Sequence, residues 1–165
     1  MSVALRPFIP ADAPRLARLF RDSVETLAEE DYSDSQRAAW SAAADDLAAF
    51  AQRLAGALTL VAMQDHKIAG FASLHDGKID MLYVDPEHAR RGVASALVDA
   101  LEKLGRARGA KTIETDASDT ARDFFAARGY QAQQRNTIAL EGEWLANTTM
   151  KKSLEQNSAP GARLQ

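Results

Sequence analysis

Arg90, Arg91 and Gly92 stand side by side where a run of strand-formers gives way to a run with helical spacing. A helix N-terminus offers unpaired backbone N–H groups and a partial positive charge, which suit an anion. Gly92 lets a phosphate approach the main chain, small Ala94 and Ser95 keep the first turn open, and the two arginines add charge at the same point. The chemistry these types suit is the binding of a diphosphate. One glycine and two arginines equally suit an ordinary strand–loop–helix join with a solvated arginine pair, so the loop alone leaves both readings open. Two familiar phosphate loops are excluded, because neither G-x-x-x-x-G-K-S/T nor G-x-G-x-x-G occurs. G-x-S-x-G is also absent, so a serine hydrolase has no support. His66, His75 and His88 fall in separate turns without metal-ligand spacing, and the chain has no cysteine. No metal site, thiol nucleophile or disulfide framework is expected.

Ile79 to Val84 reads as a strand that Asp85-Pro86 stops, since Pro has no N–H to continue a ladder. Val93, Leu97, Leu101 and Leu104 then recur at helical spacing, and Gly109 is placed to end that helix. Earlier, Val3 to Phe8 reads as a strand, and Asp12 as the cap of a helix that buries Leu16, Leu19, Phe20, Val24 and Leu27. Ser33 with Gln36 makes a capping box for one further helix, with Trp40, Ala43, Ala44, Leu47, Ala51 and Leu54 on one face and Gly56 at its end. Leu58 to Met63 and Ile68 to Leu74 are strands, with Gly70 at a bulge or close approach, and Asp76-Gly77 signals a hairpin. After the long helix, Lys111 to Thr115 returns as a parallel strand by a right-handed crossover. Thr120 to Arg128 is a short helix, and Tyr130 to Leu140 pairs with Glu143 to Met150 across Glu141-Gly142. The expected fold is α/β (α+β): one mixed, mostly antiparallel central sheet flanked by helices. Residues 1–152 form the domain, and residues 153–165 form a disordered tail. The antiparallel meander before the key loop argues against a doubly wound dinucleotide fold.

At 165 residues, 46% hydrophobic and 26% charged, the chain suits a single soluble domain. Its net charge of −3 gives no nucleic-acid footprint. No apolar run is long enough to span a membrane and no signal-peptide pattern opens the chain, so the cytoplasm is expected. Glu25, Glu29, Glu30 and Asp31 gather toward a helix C-terminus, where carboxylates oppose the dipole. They read either as a solvated acidic face or as a rim that attracts a cationic amine.

Gly92-Val93-Ala94 closes a segment that resembles the Gln/Arg-x-x-Gly-x-Gly/Ala signature of the GNAT superfamily of N-acyltransferases, with Ala89 at the position of the usual Gln or Arg. A second block, Ala117 to Tyr130, is similar to that family's helix leading into Gly-Phe, with Ser118 for the usual Asn and Phe125 for the usual Tyr. The likeness runs to about Lys152, and it is strongest to a YafP-like bacterial branch on Asp31-Tyr32-Ser33, Trp40, Ile79 to Pro86 and Ser118.

The resemblance implies acetyl-CoA as co-substrate, without a metal, and direct attack by a primary amine in a ternary complex. It assigns coenzyme contacts to Leu82, Tyr83, Val84, Arg90, Arg91, Gly92, Val93, Ala94, Ser95, Ser118 and Phe125. A backbone N–H within Leu82–Val84 would meet the developing oxyanion. Asp80 would take the amine's proton. With Phe125 lacking a hydroxyl, Tyr83, Tyr130 or water would protonate the leaving thiolate. Glu29, Tyr32, Trp40 and Asp80 would line the acceptor pocket. A small-molecule amine is the expected partner, with neither nucleic acid nor membrane, and a homodimer is left open. Ala89 and Phe125 also keep a second reading alive: a non-catalytic module of the same fold that binds acyl-CoA or an amine.

Overall fold

The computed structural model describes residues 2–155. Seven strands form one sheet in the order β1-β2-β3-β4-β5-β7-β6. They are β1 (Ala4–Pro7), β2 (Leu58–Gln64), β3 (Lys67–His75), β4 (Lys78–Val84), β5 (Thr112–Ser118), β6 (Gln131–Leu140) and β7 (Glu143–Ser153). Every neighbouring pair is antiparallel except β4 and β5. The helices are α1 (Ala13–Leu27), α2 (Asp34–Ser41), α3 (Leu47–Ala55), α4 (Val93–Ala107) and α5 (Arg122–Ala127). The mixed, mostly antiparallel sheet read from the sequence is the one observed.

Each face of the sheet has its own core. Leu97 and Leu101 of α4 and Phe125 of α5 pack with Ile113 and Met150 on one face. Leu16 and Phe20 of α1 and Phe50 and Leu54 of α3 pack with Val61, Phe71 and Met81 on the other. Asp65-His66, Asp76-Gly77 and Glu141-Gly142 all have positive φ, the conformation that two-residue hairpin turns require.

Several boundaries differ from expectation for local reasons. Asp12 does not cap α1 with its side chain; both of its carboxylate oxygens bind the Arg6 guanidinium at 2.8 Å. The single helix expected from Ser33 to Gly56 is broken. Ser33 and Gln36 do form their capping box, but Asp46 accepts from Ala49 N at 3.0 Å and starts a new helix. Leu47 is consequently exposed, and Phe50 takes the buried place. Strand β5 runs on to Ser118 instead of stopping at Thr115, and β7 runs to Ser153. Leu154, expected in a frayed tail, is 2% exposed and donates its N–H to Lys111 O at 2.8 Å. The rest of the expected tail, residues 156–165, lies outside the described residues.

Two irregularities shape the centre of the sheet. The β3–β4 register shifts between Ser73 and Leu74, which leaves Asp80 as the extra residue on β4. Strand β4 pairs with β5 only at Lys78↔Glu114 and Ile79↔Thr115, and beyond Ile79 the two strands part.

Candidate active site

The fork between β4 and β5 opens a cleft of about 540 Å³. Ile79 to Val84 line it along β4, and Ala117, Ser118, Phe124 and Phe125 line it from the other prong. Asp85 N donates to Ala69 O at 2.8 Å. Bonded pairs alternate along an antiparallel ladder, so Met81 and Tyr83 turn their N–H groups to β3. Leu82 and Val84 turn theirs into the fork, where no strand accepts them. This is the separation of strands that the oxyanion role requires.

Arg90, Gly92, Val93, Ala94 and Ser95 line the cleft's outer end. Gly92 has φ +86 and is the N-cap of α4. A Cβ added there would meet nothing within 4 Å, so the space above its backbone is open. The first intrahelical bond runs from Ala96 N to Gly92 O, and the N–H groups of Val93, Ala94 and Ser95 have no partner inside the helix. Arg90 also has positive φ, 61°, a conformation that non-glycine residues adopt rarely. Arg91 turns away and binds Asp65 at 2.8 Å, so only one of the two arginines faces the cleft. His88 is buried beneath the loop and borders the cleft, with Nδ1 unpartnered.

A second cleft of about 310 Å³ opens on the α1–α3 side. It shares Trp40, Ile79, Asp80, Tyr83, Asp116 and Ser118 with the first, so the two cavities meet at the fork. Arg53 donates to both oxygens of Asp80, at 2.7 and 3.1 Å. Asp116 accepts from Lys78 Nζ at 2.6 Å and from Thr149 Oγ1 at 2.7 Å. Burial alone would raise the Asp116 carboxyl, but the bonds from Lys78 and Thr149 outweigh it and hold the group below the usual carboxylate range. Burial pushes the Tyr83 hydroxyl up to about 12. That hydroxyl accepts from Trp40 Nε1 at 3.2 Å.

The remaining expected residues divide. Tyr32 lines the second cleft, where its hydroxyl donates to Ala146 O at 2.7 Å and accepts from Asp119 N at 2.9 Å. Its ring stands edge-on to Trp40, with centroids 5.2 Å apart. Phe125 is buried at the inner end of the first cleft, packed edge-on to Phe124 and Tyr130. Ser118 Oγ accepts from Ala121 N at 3.1 Å and turns the chain into α5. Glu29 is exposed and lines neither cleft. Tyr130 points away from the fork: its hydroxyl donates to buried Glu102 at 2.8 Å, which removes it as a proton donor at this site. Asp116, Arg53 and Lys78 belong to the site and were not anticipated. The parallel return of β5 was the available signal, since one more pair beyond Ile79↔Thr115 sets Asp116 level with Asp80.

The family model described as an acetyltransferase (GNAT) domain matches residues 28–154. The uncharacterized N-acetyltransferase YafP of Escherichia coli (strain K12) is 35% identical over 150 residues, covering 91% of this chain and 95% of that protein. A GCN5-related N-acetyltransferase from Rhodopseudomonas palustris is 55% identical, with a TM-score of 0.91, over 93% of this chain and 96% of that one. The PaiA N-acetyltransferase of Thermoplasma acidophilum, solved in complex with coenzyme A, shares the fold at 17% identity and a TM-score of 0.76, over 93% of this chain and 99% of that one. With the domain match spanning most of its length and a forked mixed sheet at its centre, the chain belongs to the GNAT acetyltransferase family.

Proposed function

We propose that the protein moves an acetyl group from acetyl-CoA to a primary amine by direct attack, with both substrates bound together. The observation that carries this is the meeting of two clefts at one fork, with Asp80, Tyr83 and Trp40 common to both. A thioester laid along β4 and an amine entering from the α1–α3 side reach the same point, which is what attack without a covalent enzyme intermediate requires.

The chain's own groups divide the work. The free N–H groups of Val93 to Ser95, with Arg90 beside them, hold a diphosphate over Gly92. The N–H of Leu82 or Val84 stabilises the oxyanion. An alkylamine of pKa about 10.4 is neutral in roughly one molecule in a few thousand at pH 7, so a proton must leave before attack. Asp80 keeps lone pairs beyond the two that Arg53 occupies and accepts that proton directly or through water. Tyr83 donates its hydroxyl proton toward the departing sulfur. Tyr32 and Trp40 wall the acceptor.

Release of free thiol from acetyl-CoA across a panel of primary amines tests the reading, alongside the shift in melting temperature that acetyl-CoA produces. Binding at 100 times Kd stabilises by about 2.7 kcal/mol. Stabilisation together with amine-dependent thiol release is expected. Stabilisation with no release against any amine would leave the non-catalytic binding module in its place.

A further inference from the structure

The loop from Asp85 to Gly92 is tied at both ends to the β2–β3 hairpin. At its start, Asp85 N donates to Ala69 O at 2.8 Å. At its end, Gln64 Nε2 donates to Arg91 O at 3.3 Å, and Arg91 Nη2 donates to Asp65 at 2.8 Å. Arg91 lies between two residues of positive φ, Arg90 and Gly92. That region is disfavoured for any residue with a Cβ, so contacts from outside the loop hold Arg90 against its own preference. Gln64 is buried, and its Oε1 has no hydrogen-bond partner among the described residues. A sealed amide with an unmet acceptor costs stability that leucine at the same position would not. Folding alone therefore does not explain a glutamine here. A trans peptide sets its C=O and N–H on opposite sides. The bond from Gln64 to Arg91 O thus turns Gly92 N–H away from the interior, toward the cleft that Gly92 lines. Neither Gln64 nor Asp65 lines that cleft.

We propose that Gln64 and Asp65 are positioning residues for the coenzyme: by fixing the peptide and the side chain of Arg91, they keep Gly92 N–H directed with the free N–H groups of Val93 to Ser95 at one diphosphate. This rests on the coenzyme assignment above, but not on turnover. Asp65 separates geometry from field. As a bare charge beside the loop, its carboxylate repels a diphosphate, and its removal would tighten binding. As half of a clamp it orients the loop, and its removal weakens binding. The Asp65–Arg91 pair is partly exposed, so it adds little to folding.

Calorimetric titration of acetyl-CoA into the full chain, with steady-state kinetics beside it, tests the clamp. Gln64→Leu should raise the Kd and KM for acetyl-CoA by about threefold to tenfold, the worth of one hydrogen bond, with kcat at saturating acetyl-CoA within about twofold. The free variant should melt no lower than the wild type. Asn suits the positive φ of 56° at Asp65, so Asp65→Asn keeps the hairpin turn. It should weaken acetyl-CoA by a similar factor, and that loss should vanish in an Arg91→Ala background. Tighter binding in Asp65→Asn would overturn the clamp in favour of simple repulsion. An unchanged Kd in both variants, or a fall in kcat alone, would overturn it too. Should Gln64→Leu not fold, the Asp65–Arg91 cycle decides. If the wild type binds acetyl-CoA without turnover, the same titrations still decide the clamp while the acyl-transfer reading falls. No binding of acetyl-CoA or CoA to the wild type would overturn both.

Discussion

The Tyr83 hydroxyl accepts a hydrogen bond from Trp40 and keeps its own proton to donate. How much that proton matters follows from two numbers. The phenol sits at about 12, and a thiol near 8.5, so full transfer to the leaving sulfur runs uphill by roughly 3.5 units, or about 5 kcal/mol. Full transfer to the departed thiolate would therefore be unfavourable, and in the reaction proposed above the hydroxyl serves as a hydrogen-bond donor to a sulfur that leaves largely as thiolate. Tyr83→Phe should lower kcat by about tenfold, at the weak end of acid catalysis, with the KM for acetyl-CoA within about twofold. An unchanged kcat in single-turnover measurements would assign the proton to water. That Asp80, Tyr83 and Gly92 share one strand–loop–helix unit was legible in the sequence, because a strand, its Asp-Pro stop and an apolar helical stripe are all local signals. Arg53, Lys78 and Asp116 were not, because their roles come from a salt bridge between α3 and β4 and from pairing between β4 and β5. Such contacts join residues 27 and 38 positions apart and leave no local pattern. Glu29 shows the opposite error: an acidic run near a helix end was readable, but its direction away from the clefts was not.

At the scale of elements, the loop into α4 and the strand beneath it can be tested separately. Gly92 and Gly109 flank α4, both have φ +86, and a Cβ on either meets nothing within 4 Å. Valine at either position should cost similar stability, about 1–2 kcal/mol, because the penalty is one of backbone conformation. Only Gly92→Val puts its branch over the proposed diphosphate site. It should lose the melting shift with acetyl-CoA, whereas Gly109→Val keeps it in full. A retained shift in Gly92→Val would move the diphosphate elsewhere. Gly70 tests the support. A Cβ there would come within 2.8 Å of Tyr83 O and of Val93 Cγ1, pressing β4 and the start of α4 apart. Gly70→Ala should destabilise by about 1–3 kcal/mol and weaken acetyl-CoA binding as well, read by urea unfolding and calorimetry. The close approach at Gly70 and the course of α4 were legible, since a lone glycine in a strand and a regular apolar stripe are both local signals. The break between α2 and α3 was not. Alanine-rich spacing continues smoothly across it, and the capping choice of Asp46 depends on how Phe50 packs under α1.

For the whole molecule, the carboxyl and phenol groups that folding displaces from their ordinary values act at opposite ends of the pH scale. Asp12 is held low by hydrogen bonding to Arg6, and Asp116 is held low by Lys78 and Thr149 against its own burial. A depressed carboxyl contributes stability that is present above its unfolded value of about 3.9 and lost as pH falls through its folded one. Tyr83 is raised by burial, and Tyr130 is raised by burial and then by its bond to Glu102. A raised phenol leaves stability intact below its unfolded value of about 10 and lets it drain away as pH climbs toward the folded one, because the unfolded chain ionises first. For Tyr83 the window is about pH 10 to 12, and two units correspond to at most about 3 kcal/mol. Unfolding free energy measured with urea should thus be flat from about pH 5 to 9 and fall on both sides. Tyr83→Phe should remove part of the alkaline fall and leave the acid side untouched, with Tyr32, raised by burial, and Tyr130 sustaining the remainder. An alkaline limb of the same depth in that variant would mean that the Tyr83 hydroxyl is open to solvent at the fork, and the donor role argued for it would fall with its burial.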